Sequence, residues 1–169
     1  MSRLDSFIRR LMAQRACLDH AARLIAALPG PVLELGLGNG RTYDHLRTLL
    51  PEREIFVFER ALAADLPALP DAAHLVLGDF RDTLPAARAR LGARAALAHC
   101  DIGSGDAAVS AALARATAPL LAPLMAPGGI VAGDQAMAGC GWTALPLPHD
   151  IEPGRYHLYR VPAPGSLTA

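Results

Sequence analysis

Apolar residues at Leu4, Phe7, Ile8, Leu11, Met12, Leu18, Ala22, Ile25 and Leu28 recur at three- and four-residue steps, the spacing of one face of a helix. The pattern predicts an amphipathic helix from about Ser6 to Leu28, closed by Pro29-Gly30. The period then changes. Pro31 to Leu35 is a short apolar run that ends in a glycine cluster and predicts a strand. Arg41 to Leu50 reads as a helix stopped by Pro51, and Glu54 to Phe58 as a strand buried on both faces. A short, proline-interrupted helix is expected around Leu62 to Leu69, then a strand at His74 to Leu77. Thr83 is placed to cap a helix whose first position is Pro85 and which ends near Leu91-Gly92. Ala95 to Cys100 follows as a strand, and Ala107 to Met125 as a helix that Pro119 and Pro123 are expected to break in two. Gly129 to Gly133 makes a fifth strand. Trp142 to Leu147 and Tyr156 to Val161, joined by a loop through His149 to Gly154, read as an antiparallel hairpin at one sheet edge.

Strands alternating with helices predict an α/β fold, a doubly wound and mostly parallel sheet covered on both faces. With the hairpin the sheet has seven strands. No internal repeat, linker or low-complexity block interrupts the chain, so residues 1–169 are read as one domain, an N-terminal helix (1–28) followed by a core (30–161).

Composition narrows the function classes. Hydrophobic residues make up 52% of the chain, but alanine supplies much of that and buries little area. Basic and acidic residues number 16 each and cancel, which gives no electrostatic reason to expect a nucleic-acid partner. Arg9, Arg10, Arg15 and Arg23 form no single ridge on a helix and read mainly as solvated surface. Cys17, Cys100 and Cys140 are odd in number and lack CxxC spacing, so neither a disulfide framework nor a zinc site is indicated. The charged N-terminal turns are unlike a secretory signal. The uncharged stretch Ala116 to Gly133 is cut by three prolines and two glycines, so a helix end, a turn and a buried strand suit it better than a membrane span. A reducing, cytoplasmic setting is the expectation.

The chemistry concentrates in Glu34-Leu-Gly36-Leu-Gly38-Asn-Gly40, directly after a strand and before a helix. Glycine lets a backbone turn sharply and approach a ligand closely, and the following helix presents unpaired N–H groups. A dinucleotide site would want G-x-G-x-x-G. Here the third glycine comes one residue early and Arg41 stands in its place. Glu59 ends the second strand, where a carboxylate can accept both hydroxyls of a ribose. Asp79 follows the third strand and can accept from an adenine amino group, and Asp101 follows the fourth. All lie at carboxyl ends of parallel strands, where open α/β sheets bind ligands.

With these motifs in place the chain resembles the class I S-adenosylmethionine-dependent methyltransferase superfamily over roughly residues 30 to 161, as a small single-domain member with a Rossmann-like methyltransferase sheet. The resemblance implies that Glu34, Gly36, Gly38 and Gly40 form the loop around the methionine part of the cofactor S-adenosyl-L-methionine. It implies Glu59 at the ribose and Gly78-Asp79 at the adenine, with Arg60 and Phe80 flanking the ring. Pro127-Gly128-Gly129 before the fifth strand fits the same pattern. The connection Asp134 to Gly141 is too short for a full helix, and no N-P-P-Y-type tetrapeptide follows the fourth strand.

Methyl transfer to an acceptor needs alignment, and a base only where the acceptor must lose a proton. Asp101 is the first candidate for that role, and it also counts among the cofactor-facing residues. Asp134-Gln135 resembles the D-N pair of metal-dependent catechol-type O-methyltransferases, and with Asp101 could form an oxygen-rich magnesium site; loop-capping carboxylates are the preferred reading, so no metal is assigned. Gln14 and Arg15 interrupt the apolar stripe of the first helix and, with Arg41, are candidates to meet the cofactor's carboxylate. His99 reads as a satisfied core histidine; Trp142 and Tyr156 on the terminal hairpin could line a substrate pocket, with packing at the sheet edge the preferred reading. The expected activity is methyl transfer to a small-molecule acceptor. The rivals are an S-adenosylmethionine or S-adenosylhomocysteine-binding module without transfer activity, and a nicotinamide-dependent oxidoreductase. The exposed apolar part of the first helix is compatible with a homodimer.

Overall fold

The computed structural model describes residues 2–63, 66 and 69–163. Its first helix, α1 (Arg3–Leu24), starts earlier than the apolar period predicts. The reason is a capping box: the Asp5 amide donates to the Ser2 hydroxyl and the Asp5 carboxylate accepts from the Ser2 amide, both at 3.0 Å, which satisfies two otherwise orphaned donors. After Leu24 the chain continues as a turn to Leu28, with Ile25 still buried.

The remaining elements are β1 (Val32–Leu35), α2 (Arg41–Leu49), β2 (Ile55–Glu59), β3 (Leu75–Leu77), α3 (Phe80–Ala87), β4 (Ala95–Cys100), α4 (Ala107–Leu121), β5 (Met125–Gly133), β6 (Thr143–Ala144) and β7 (His157–Arg160). Three expectations are corrected. The helix expected from Thr83 begins at Phe80 because Asp79 caps it, its carboxylate accepting from the Arg81 amide at 2.9 Å. Pro85 therefore lies inside α3, where its missing N–H removes a single helical bond. Pro119 does not split α4; the helix runs through it to Leu121 and ends in a short 3-10 turn, Ala122–Leu124, that contains Pro123. Of the helix expected around Leu62 to Leu69, residues 62, 63, 66 and 69 are described and none is helical, while residues 64, 65, 67 and 68 lie outside the described residues.

The seven strands form one sheet in the order β3-β2-β1-β4-β5-β7-β6. The pairs β1·β2, β1·β4, β2·β3 and β4·β5 are parallel, whereas β7 runs antiparallel to both β5 and β6. The chain winds outward from β1 in one direction and restarts at β4 in the other. The β1/β4 boundary is thus the topological switch point, outside whose carboxyl ends such sheets hold ligands.

Helices cover both faces. Leu33, Leu35, Phe58 and Val131 pack on one side with Leu84 of α3 and Ala114, Ala118 and Leu121 of α4. Val32, Val57, Leu97, Ile130 and Leu158 pack on the other with Cys17, Leu18 and Ala21 of α1 and Leu46 of α2. Both faces being apolar explains why β1 and β4 are buried at every position. The segment Ala107–Leu124 is long and apolar enough, by length and composition alone, to cross a membrane; here Ala114, Ala118 and Leu121 place one flank of it in the core. As the sequence implies, no helix forms between Asp134 and Trp142.

Candidate active site

The turn after β1 is shaped by backbone. Gly36, Gly38 and Gly40 all have positive φ, at 89°, 54° and 79°. At Gly36 the requirement is absolute, because a Cβ there would fall on the carbonyl oxygen of Asp101, within a separation that real Cβ atoms never show. The two loops are pressed together because ladder bonds continue past the strands: the Gly36 amide donates to Phe58 O at 2.9 Å and the Asp101 amide to Leu35 O at 3.0 Å. Gly40 closes the turn as the left-handed N-cap of α2.

Between this turn and the ends of β2, β3 and β4 lies a cavity of about 370 Å³, bounded by Gly36, Gly38, Glu59, Asp79, Phe80 and Asp101 among others. Arg60 and Gly78 also border it. Eight residues singled out from the sequence for scattered reasons are thus neighbours in space. The Glu59 carboxylate accepts from the amides of Leu37 (2.8 Å) and Gly38 (3.2 Å) through one oxygen, and from Arg60 (2.7 Å) and Ala61 (3.1 Å) through the other. It ties the glycine turn to the end of β2 while facing the cavity. Asp79 is gripped by the Arg81 guanidinium at 2.9 and 2.8 Å. That side-chain pairing, helped by the Arg81 amide, holds its carboxyl well below the usual carboxylate range.

Val109 and Leu113 of α4 also line this cavity, while α1 supplies the partners of Asp101. Arg10 Nη2 donates to Asp101 Oδ1 at 2.6 Å and Gln14 Nε2 donates to Asp101 Oδ2 at 3.0 Å, so both oxygens of the carboxylate are held by one helix. Arg10 is therefore not merely the solvated surface that its sequence pattern suggests, for it pairs with Asp101 across the site. A signal was present, since Arg10 and Gln14 are four residues apart and share a helical face. Phe7 lies on that face too, and the Arg41 guanidinium sits 5.9 Å from its ring centroid. Phe7, Arg10, Gln14, Gly38, Arg41 and Asp101 are among the residues lining a second, smaller cavity of about 160 Å³. Arg15 points elsewhere: it is exposed and borders a separate groove formed by α1 and the loop through His149 to Glu152. One residue of helix is a turn of about 100°, enough to carry Arg15 off the face that Gln14 occupies.

Two further expectations change. Glu34 is fully buried, its carboxylate accepting from the Thr42 hydroxyl and meeting His99 Nδ1 at 2.6 Å. It points into the α1/α2 side of the sheet and not into either cavity. Tyr156 is no edge-packing residue, for it is fully buried and its hydroxyl meets His99 Nε2. His99 is the satisfied core histidine expected. Burial disfavours its charged form, but the carboxylates of Glu34, Asp101 and Asp134 together outweigh that and His99 is held above its ordinary value. Trp142 packs on Tyr159 with ring centroids 6.2 Å apart.

Asp134 behaves as a loop cap. Its oxygens accept from the amides of Ile102 (3.2 Å) and Gly103 (3.0 Å), and from Gln135 Nε2 (3.2 Å). Among the described residues no group of three His, Cys, Asp or Glu side chains is arranged to hold a metal. The turn that Asp134 shapes borders a third cavity, of about 650 Å³, between the start of α1 and the loops after β4 and β5.

A switch-point crevice with a close-approach glycine turn, a carboxylate at the end of the neighbouring strand and an aromatic ring beside it defines a nucleoside-binding α/β protein. The residues fit an adenosyl cofactor: the turn leaves no room for a Cβ at Gly36, Gly38 opens on empty space, and Glu59 and Phe80 face the same cavity. The chain belongs to the S-adenosyl-L-methionine methyltransferase family, whose model matches residues 1–161. It is similar to an S-adenosyl-L-methionine methyl transferase from Silicibacter pomeroyi, with 49% identity over 95% of this chain and 98% of that one and a TM-score of 0.89. Human methyltransferase-like protein 13, solved in complex with S-adenosylhomocysteine, shares the fold at 14% identity, with 95% and 84% of the chains covered and a TM-score of 0.58. An O-methyltransferase family protein from Burkholderia thailandensis does so at 16% identity, 87% and 55% coverage and a TM-score of 0.51. No curated protein matches the chain. The protein is an S-adenosylmethionine-dependent methyltransferase, which removes the nicotinamide alternative.

Proposed function

We propose that this methyltransferase acts on a small-molecule acceptor that enters the cavity between α1 and the loops after β4 and β5, with Asp101 as the residue that positions or deprotonates it. The observation that carries this reading is the cavity of about 650 Å³ whose wall includes Arg10, the partner of Asp101. That volume lies within the range of small-molecule sites. The zero net charge supports a small acceptor over a polyanion.

S-adenosylmethionine supplies an already activated methyl group on a sulfonium. In our reading Gly36, Gly38 and Gly40, with Gln14 and Arg41, surround its methionine part. Glu59 accepts from the ribose hydroxyls, and Phe80, Arg60 and Asp79 border the base. Arg81 keeps Asp79 ionised, so it offers acceptors only. Asp101 stands where the two smaller cavities meet and would take the proton that an acceptor hydroxyl or amine gives up. Asp134 holds the Ile102–Gly103 turn in shape. Alignment by these walls, and closure by α1, account for most of the rate advantage available to such a reaction.

Calorimetric titration with S-adenosylmethionine, S-adenosylhomocysteine and NAD tests the cofactor pocket. Release of S-adenosylhomocysteine with a panel of hydroxyl, amine and carboxylic acceptors, with and without magnesium, tests the acceptor. Cofactor binding with no turnover on any small molecule, but turnover on a protein or nucleic acid, would sink the small-acceptor reading. All three cysteines are free, which supports a reducing, cytoplasmic setting. Leu4, Ile8 and Met12, exposed at 65%, 46% and 54%, lie at four-residue steps on α1 and support a homodimer; light scattering that returns a monomer at assay concentration removes it.

A further inference from the structure

All 16 basic residues of the chain are arginine, so the choice of arginine carries no information and only its placement does. Several guanidinium groups are spent on the protein's own oxygens. Arg53 holds the carbonyls of Gly30 and Ile25 at 2.8 Å, and Arg81 grips Asp79. The cavity of about 650 Å³ is different. Arg3, Ser6, Phe7 and Arg10 line it from α1, and their spacing puts them on one helical face. Arg155 lines it from the turn before β7. Three guanidinium groups thus border one concave space, against a single carboxylate in its wall, Asp134, whose oxygens already accept from the Ile102 and Gly103 amides.

The three are held to different degrees. Arg155 donates from Nε to Glu152 at 3.0 Å and from Nη1 to the Ser6 hydroxyl at 3.3 Å, which fixes it against the start of α1. Arg10 spends Nη2 on Asp101, and among the described residues its Nε and Nη1 make no hydrogen bond. Arg3 makes neither a hydrogen bond nor an ion pair among the described residues. Phe7, 45% exposed, supplies the apolar part of the wall. The loop beside it has little room to move, because a Cβ on Gly103 would collide with the Asp134 carboxylate.

We propose that the acceptor is a small organic acid, an apolar body that carries a carboxylate or a phosphate besides the hydroxyl or amine receiving the methyl group, and that Arg3, Arg10 and Arg155 bind the acid. The inference rests on the reading of this cavity as the acceptor site. Like charges around one space repel, and a cleft lined by one sign of charge focuses its field on a ligand of the other. The guanidinium fork matches the paired oxygens of a carboxylate or phosphate. Arg10 is shared, since it also lines the smaller cavity that Asp101 borders. An acid held by Arg10 therefore lies one guanidinium away from Asp101. An acid oxygen bound in this way has its lone pairs engaged, so it anchors the acceptor and leaves another atom to attack the methyl group.

The test titrates the full chain, saturated with S-adenosylhomocysteine, with benzoate, phenyl phosphate and benzamide. The readout is the backbone amide shifts of Gly103, Gly105 and Gly154, all in the cavity wall. At least one of the two anions is expected to give saturable shifts there, the tighter one naming the acid, and benzamide none. Arg3→Gln should weaken the anion about three- to fivefold, as suits an exposed guanidinium. Arg3→Gln combined with Arg155→Gln should weaken it about tenfold or more. Arg88→Gln is the control, at the C-cap of α3 on the opposite face of the sheet from α1, and should change nothing. Equal shifts with benzamide, undiminished anion affinity in both arginine variants, or no saturable shift with either anion overturns the inference. With S-adenosylmethionine supplied, turnover of neutral acceptors at a KM that Arg3→Gln does not alter overturns it too, and leaves the cavity reading standing. Anion shifts that fall outside the cavity overturn both. Arg3 lies exposed in the first turn of α1, so its variant keeps the comparison decisive if Arg155→Gln does not fold.

Discussion

Replacing Gly36 with alanine separates shape from chemistry at this site. Gly36 holds φ at 89°, a region that costs a residue with a Cβ roughly 1–2 kcal/mol. The added methyl also meets Asp101: its carbonyl carbon lies 3.2 Å away and its oxygen far inside the 3.0 Å that real Cβ atoms respect. Something must retreat by the better part of an ångström. The Asp101 backbone cannot do so freely, being tied by its amide to Leu35 O at 3.0 Å and followed by Ile102, whose amide is held by Asp134 at 3.2 Å. Overpacking of that kind adds about 1–3 kcal/mol. The total, about 2–5 kcal/mol, is a large fraction of the stability of a domain and corresponds to a fall in Tm of roughly 4–20 °C at this size. Gly38→Ala is the internal control, since a Cβ there meets nothing within 4 Å and opens on the cavity. It should cost only about 1 kcal/mol of stability while weakening S-adenosylhomocysteine at least tenfold. Differential scanning calorimetry and isothermal titration on the two variants check both halves. If Gly36→Ala melted within about 2 °C of the native protein, the packing of the β1 turn on the β4 loop described here would be wrong.

Glu59→Ala should weaken cofactor binding by roughly 2–3 kcal/mol, ~30- to 150-fold, through lost charge-assisted hydrogen bonds; an unchanged dissociation constant by titration removes the ribose assignment. His99 binds its proton more tightly folded than unfolded, because the carboxylates of Glu34, Asp101 and Asp134 face it. Its contribution to stability is therefore complete below its ordinary value of 6.5 and is lost as pH rises through the higher folded value. Thermal melts should accordingly show Tm falling as pH rises above the ordinary value of 6.5, and His99→Gln should flatten that slope. Burial pushes the Cys17 thiol up to about 12 and raises Cys100 as well; only the half-buried Cys140 should react with a disulfide reagent in the native protein, and two or more fast thiols in a stopped-flow assay would contradict the burial described.

The sequence by itself determined the alternation of strands and helices, the doubly wound sheet with its antiparallel edge, and the glycine turn with carboxylates at successive strand ends. These were legible because they rest on local rules: period, proline and glycine punctuation, and the fact that strand ends of a parallel sheet share one edge. Gly36 and Glu59 could be singled out for the same reason. What only the tertiary structure decided is where each polar side chain points. Asp79 caps α3 instead of Thr83 because Arg81 is within its reach. Arg10, not Arg15, meets Asp101 because the pitch of α1 and its packing on the sheet select one face of the helix. Glu34 turns inward to His99, its neighbour across the β1/β4 ladder, and Tyr156 arrives from 57 residues further along the chain. Register between distant strands is set by the whole core at once, and no window of sequence contains it.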